Sequence, residues 1–241
     1  DLTLTHQHVV ITGGSKGIGL ACAHAFLAEG ARVTLLARNA QRLELAQSQL
    51  AKAQGGQVKD GLIQVLSVDL TQAPLTLAAI DKVISQWGPI DVLVNSAGAA
   101  RRTPPDELSP QAWHDAMDAK YFSYMHAIDP VIKHMASRGQ GAIINIIGAG
   151  GKMASPIHLP GGAANAALML ATTGVRLVGS EMCIRDRTDC VKVWRLRPGC
   201  KASQCKRRWL AQPLAFQWGV WHSPKKLPMW RCFLPAQRPV M

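Results

Sequence analysis

Near the start of the chain, Thr12–Gly19 reads TGGSKGIG, with glycines at positions 13, 17 and 19. Glycines at this spacing suit the close approach of backbone N–H groups to a phosphate. Gly13 permits a tight turn. Gly17 lets the backbone come up against a phosphate oxygen, and Gly19 lets the following helix pack closely on the preceding strand. Ser15 and Ile18 complete the loop, and Lys16 places a cation in it. A β-branched run, HVVIT (8–12), leads in and LACAHAFLAEG (20–30) leads out. The loop therefore joins a strand to a helix whose positive dipole end faces the anion. This pattern expects a ligand with a diphosphate.

The end of the second strand carries the choice between dinucleotides. A carboxylate there accepts hydrogen bonds from a ribose 2′-OH and repels a 2′-phosphate. This chain has Ala37 and then Arg38, with Lys16 nearby in the glycine loop. Two cations and no carboxylate favour NADP(H) over NAD(H). The competing reading of Arg38 is an ordinary surface residue.

These residues need a scaffold, and the pattern supplies one. ARVTLLAR (31–38), LIQVLSVDL (62–70), IDVLVNSAG (90–98) and GAIINIIG (141–148) are apolar runs of strand length. Helical segments separate them: QRLELAQSQLAKAQ, one ending near Trp87, and SPQAWHDAMDAKYFSYMHAIDPVIKHM with Ser109 as its N-cap. AANAALMLATTG adds another helix, and Gly30 closes the first. The order βαβαβαβαβα predicts an α/β fold with a doubly wound parallel sheet, Rossmann-like, over residues 1–176.

TGGSKGIG, VDL at 68–70 and NSAG at 95–98 together resemble the short-chain dehydrogenase/reductase family throughout residues 1–176. The resemblance implies an NAD(P)-dependent oxidoreductase acting on a small carbonyl or alcohol substrate, homo-oligomeric when intact. It implies that Asp69 and Leu70 flank the adenine, and that Asn95, Ala97 and Gly98 line the cofactor cleft. Asp69 is also open to a plainer reading, a solvated carboxylate at a strand end.

The family's catalytic Asn, Ser, Tyr and Lys are the next expectation, and none is where the resemblance puts it. Lys120 stands at the Asn position, Gly148 at the Ser position, Gly161 at the Tyr position and Asn165 at the Lys position. Lys and Asn read as exchanged between two helices that border one site. His158, at the head of HLPGGAANAAL (158–168), is the nearby group able to replace Tyr as an acid near neutral pH. Lys120, His158 and Asn165 are therefore the candidate catalytic residues of an altered site. Gly161 and Gly162 are expected to leave room in it. Plainer readings stand beside these: Lys120 at the surface or paired with Asp115 or Asp118, His158 as a loop histidine, and Tyr124 as packing although it shares a helix face with Lys120. The alternative function is a cofactor-binding regulatory or structural relative without turnover.

The net charge of +12 divides unevenly. Residues 1–176 hold 14 Lys and Arg against 12 Asp and Glu, while residues 177–241 hold 13 against 3. Five of six Cys and five of seven Trp also fall after 176. This concentration argues against a nucleic-acid-binding surface and for a tail of different origin. LVGSEMCIRDR (177–187) resembles translated sequencing-adapter sequence and fits neither the preceding helix nor a family strand, and TDCVKV (188–193) reads as the approach to a sixth strand. Moving each codon boundary by one base, with permitted third bases, turns PKKLPMWRCFLPA (224–236) into EEVADVAVFLAS and residues 194–201 into AVAPGMQ. Both are family-like, so a frameshift is expected. The cysteines have no zinc spacing, so no metal is expected. No apolar run has the ~18 residues of a membrane span. The chain lacks both an initiator Met and a leader pattern, so a cytoplasmic location and a possible fragment are the expectations.

Overall fold

The short apolar runs form strands because each is buried on both faces. β1 (His8–Thr12), β2 (Arg32–Ala37), β3 (Ile63–Ser67), β4 (Val92–Asn95) and β5 (Gly141–Ile146) lie parallel in the order β3-β2-β1-β4-β5. Alternate side chains enter opposite layers. Val9 and Ile11 of β1 join Leu35, Val92 and Val94 in one core, and Val10 joins Leu36, Leu93 and Ile143 in the other. Burying each such side chain contributes about 1.5–3 kcal/mol. The computed structural model describes residues 4–54, 61–98, 101–178, 182–185 and 191–196, all of which belong to one unit, Asp1–Lys206.

Among the described residues, six α-helices connect the strands: α1 (Gly17–Ala28), α2 (Ala40–Ala53), α3 (Ala73–Trp87), α4 (Pro110–Ala116), α5 (Ser123–Arg138) and α6 (Leu159–Val178). The core beside α1 and α2 contains Cys22, Ala23, Leu27, Leu43, Ala46 and Leu50. The opposite core takes Ile80 and Val83 from α3, Tyr124, Val131 and Met135 from α5, and Leu168 from α6. Ser109 caps α4 as expected, its hydroxyl accepting the Ala112 N–H at 3.2 Å. Gly30, at φ +80°, ends the α1 connection. Between α4 and α5 the helix passes through a π-helical segment, Met117–Phe122. Nothing in the sequence pattern announced that segment.

The five strands within residues 1–176 are all parallel, as expected, and the described chain beyond them adds two more. α6 continues to Val178, and within LVGSEMCIRDR Met182–Arg185 forms β6. β7 (Val191–Leu196) pairs with β5 antiparallel, and β6 pairs antiparallel with β7. The connection explains the direction, because β6 and β7 are joined by five residues and a link that short supports only an antiparallel pair. β6 therefore runs with β5 but one place further out. The segments that yield family-like sequence on regrouping, 194–201 and 224–236, lie outside the described residues except for 194–196.

The strand order reverses between β1 and β4, which opens a crevice at the C-terminal ends of the strands, the usual ligand site of such sheets. Thr12, Asn95 and Asn145 stand in register across it.

Candidate active site

The glycine loop is built as its spacing requires. Gly13 sits at φ +68°, and a Cβ there would lie 2.8 Å from the Ala97 backbone. A Cβ on Gly19 would collide with the Gly13 carbonyl oxygen. Gly17, at φ +56°, faces open space. Lys16 is the N-cap of α1 with extended backbone and no side-chain cap, and the first turn carries no acidic residue. The N–H groups of that turn are thus free of competing carboxylates, and they point at the place a diphosphate would take. The residues fit such a group. Ser15 is half-buried in the loop, whereas Lys16 and Ile18 are exposed.

The end of β4 is stitched to the same loop. The Thr12 hydroxyl accepts the N–H groups of Ser96 (3.1 Å) and Ala97 (3.3 Å) and donates to Asn95 Oδ1 (3.2 Å). The fully buried Asn95 donates to Asn145 Oδ1 at 2.9 Å, and Asn145 donates to the Thr172 hydroxyl at 3.1 Å. This polar chain crosses β1, β4, β5 and α6 beneath the crevice. Asn95 thus supports the cleft floor from within, while Ala97 and Gly98 come up to its surface.

At the far side, Arg38 is exposed just beyond β2, and its carbonyl accepts the Ser67 hydroxyl at 2.9 Å. Asp69 Oδ1 accepts both the Thr71 N–H (3.1 Å) and the Thr71 hydroxyl (2.9 Å), which pins the turn after β3. Leu70 directs its side chain into the core, and its carbonyl accepts a hydrogen bond from His126 Nδ1 at 2.9 Å.

Two of the candidate catalytic residues, Lys120 and Asn165, meet at the end of β5. Lys120, within the π-helical segment, donates from Nζ to the Tyr124 hydroxyl at 2.8 Å and to the Ile146 carbonyl at 3.0 Å. Tyr124 in turn donates to the same carbonyl at 2.8 Å. The lysine does not pair with Asp115, which accepts from Gln111 instead. It lies across Gly98, where a Cβ would approach its Cδ to 2.8 Å and its Nζ to 3.4 Å. Withdrawal from water lowers the Lys120 amine to about 8, and burial raises the Tyr124 phenol above its ordinary range. Lys120 is thus a cation that can give up its proton near physiological pH, beside the cofactor cleft.

Asn165 approaches from α6. Its Oδ1 accepts the Gly148 N–H at 3.2 Å, two residues beyond Ile146. Lys120 and Asn165 therefore both bond to the backbone at the end of β5, at Ile146 and Gly148. Around it the two glycines differ. A Cβ on Gly161 meets nothing within 4 Å, but one on Gly162 would stand 3.0 Å from the Gly150 carbonyl. The room expected from both comes from Gly161 alone, because Gly162 packs against the Ala149–Gly151 turn.

His158 occupies the residue before α6, where its carbonyl accepts the Gly162 N–H at 2.8 Å. Its Nδ1 is 3.2 Å from the Arg101 carbonyl, which can only accept, so Nδ1 carries a proton in this contact. Its bonding ties it to the loop at Arg101. The partners of Lys120 went unread in the sequence, since Ile146 is reached through a backbone carbonyl that no residue type signals. Only the i, i+4 spacing pointed to Tyr124. Among the described residues no three His, Cys, Asp or Glu side chains group as metal ligands, and no helix is long and apolar enough to cross a membrane.

The family model for short chain dehydrogenases matches residues 7–211, past the end of α6. Gluconate 5-dehydrogenase of Gluconobacter oxydans (strain 621H) is 33% identical over 174 residues, 72% of this chain and 65% of that relative, so the chain spans less than two thirds of its length. The structure of L-sorbose reductase from Gluconobacter frateurii, complexed with NADPH and L-sorbose, superposes with a TM-score of 0.67 at 28% identity, covering 74% of this chain and 66% of that one. An NADPH-bound short chain oxidoreductase from Pseudomonas aeruginosa PAO1, described as containing an atypical catalytic center, gives 0.66 at 26% identity, covering 72% of this chain and 67% of that one.

Proposed function

Because the chain belongs to the short-chain dehydrogenase family, we propose that it is an NADP(H)-dependent oxidoreductase of a small carbonyl or alcohol substrate, with Lys120 moving the proton in an altered site. One observation carries this reading: a desolvated ammonium lies over Gly98, bonded to the carbonyl of Ile146, with Asn165 on Gly148 two residues away. The cofactor, when bound, supplies or accepts the hydride. Lys120 Nζ gives a proton to the carbonyl oxygen in reduction and takes it back in oxidation. Asn165 holds the Gly148 turn against α6. His158, tied to the loop at Arg101, is the candidate proton relay to bulk water. Arg38 and Lys16 meet the 2′-phosphate. L-sorbose and 5-ketogluconate are natural first substrates to try, given the relatives.

The test is NADPH oxidation with those ketones by the unmodified chain, Lys120→Met and His158→Ala. The altered site requires that Lys120→Met lower kcat by about 10²-fold or more while NADPH still binds. Full activity in both variants overturns it. The open space at Gly161 favours a second reading, a cofactor binder without turnover. NADPH affinity without oxidation of NADPH across a broad panel of ketones selects that one. We also propose that residues 177–187 are adapter-derived and that the chain from 194 onward is in a displaced reading frame, supported by the Trp, Cys and basic residues concentrated after 176. Resequencing of the coding DNA decides it, and an unbroken frame without an insertion or deletion near codon 194 refutes it.

A further inference from the structure

Lys120 has three N–H donors and two acceptors close at hand, the Tyr124 hydroxyl and the Ile146 carbonyl. The hydroxyl is itself fixed, since it donates to that same carbonyl and its ring is fully buried in the core against α5's neighbours. Three polar atoms thus form a closed triangle with sides of 2.8, 2.8 and 3.0 Å. The ammonium also stands 4.5 Å from the centroid of the Tyr124 ring. All of this occurs where α-helix gives way to the π-helical turn, a distortion that is frequent at functional sites. The widened turn offers Lys120 and Tyr124 together to the last carbonyl of β5.

We infer that Tyr124 is a positioning residue, whose hydroxyl holds the Lys120 ammonium against the Ile146 carbonyl so that its third N–H is left for a ligand over Gly98. A lysine side chain has four rotatable bonds and does not hold one position unaided. Here one oxygen clamps it and a second oxygen clamps the first. The absence of a side chain at Gly98 makes room for the lysine stem itself, which any Cβ there would displace. Tyr124 is fully buried, and its hydroxyl is taken up by Lys120 and the Ile146 carbonyl. It acts on the amine, first by fixing its place and second by stabilising its charged form with an oxygen acceptor. This role rests on the reading of Lys120 as the group that moves the proton.

The experiment compares the full chain with Tyr124→Phe, which keeps the buried ring and removes only the oxygen. The Lys120 amine is titrated directly, by ¹⁵N-lysine NMR or by pH-dependent acetylation, and L-sorbose reduction with NADPH is followed across pH. Loss of an acceptor disfavours the ammonium, so the amine midpoint should fall by about one pH unit in Tyr124→Phe. NADPH affinity should stay within about twofold, since Tyr124 is fully buried. An unchanged midpoint overturns the positioning role whether or not the protein turns L-sorbose over. If the midpoint falls but the kinetic profile does not follow it, the positioning role stands and the proton-moving reading of Lys120 fails. The unmodified chain gives a check that needs no variant. ¹³C-labelled Tyr124 should remain protonated well above pH 10, and ionisation at or before the Lys120 midpoint would reverse donor and acceptor and overturn the assignment.

Discussion

Lys120 Nζ and the Ile146 carbonyl oxygen are 3.0 Å apart although 26 residues separate them in the chain. The contact joins a π-helical turn to the last residue of β5, and it places a lysine where burial withdraws its water. A charge kept in such a place works against folding, because desolvation penalises the ammonium more than the amine. The pair therefore has consequences for both activity and stability.

The first is a pH signature. With the amine at about 8, reduction should be fastest below that pH and fall as the ammonium is lost above it. Oxidation, which needs the free amine, should rise through the same pH. Between about 8 and the ordinary 10.5 the unfolded chain holds a proton that the folded chain has released, so fold stability should rise with pH across that window. Lys120→Met removes the buried charge and should leave the fold as stable, or up to ~3 kcal/mol more stable, while activity collapses. Denaturant titration checks this, and a strongly destabilised Lys120→Met contradicts it.

Arg38 should decide the dinucleotide. Its exposure leaves the guanidinium available to a 2′-phosphate, and no carboxylate stands at the end of β2 to oppose it. NADPH should bind more tightly than NADH, by a margin that shrinks with added salt. Arg38→Asp should reverse the order by roughly tenfold. Equal affinities in the unmodified chain that Arg38→Asp leaves unchanged would count against the whole reading of the second strand end. Isothermal calorimetry with both dinucleotides reads the outcome.

Two glycines should respond oppositely to the same substitution. Gly19→Ala drives a methyl into the Gly13 carbonyl, so it should cost about 1–3 kcal/mol and weaken NADPH binding. Gly161→Ala meets open space within a helix, and it should stabilise by roughly 0.5–1 kcal/mol by removing backbone freedom from the unfolded chain. Thermal melts of the two variants, with and without NADPH, separate the cases. A destabilised Gly161→Ala means that the space is not free.

His8 should make the fold acid-sensitive. It is almost fully buried at the start of β1, with Nδ1 3.2 Å from the carbonyls of Gly88 and Pro89 and Nε2 2.8 Å from the Thr34 hydroxyl. Burial lowers its pKa from 6.5, only partly offset by those carbonyls and by Asp91. Below pH 6.5 the unfolded chain takes up a proton that the folded chain refuses, so stability should decline as pH falls. NMR titration of the imidazole should find it neutral at pH 6.5. A protonated His8 at that pH removes the effect.

Much of the scaffold was legible because it rests on local pattern. Strand-length apolar runs alternate with helical ones, and each of the five parallel strands falls within its expected segment. The Ser109 cap and the steric demands at Gly13 and Gly19 were readable for the same reason, since each depends on a few neighbouring residues. So was the bareness of Gly161. The site behaved differently. Lys120 and Asn165 could be singled out by position, but their partners could not.

What the sequence by itself determined is the sheet's order of elements, the phosphate-shaped loop and the residue types present at each position of the cleft. Periods of two and 3.6 residues and the steric demands of glycine are written within short windows of chain. Tertiary structure alone decided where Lys120 points, why its proton is loosely held, how Thr12, Asn95, Asn145 and Thr172 link beneath the cleft, and that β7 runs antiparallel to β5. Each of these depends on atoms brought together across 20 to 80 residues or on a backbone carbonyl that every residue possesses. Burial, which sets the charge state of Lys120, belongs to the packed chain and not to any stretch of it.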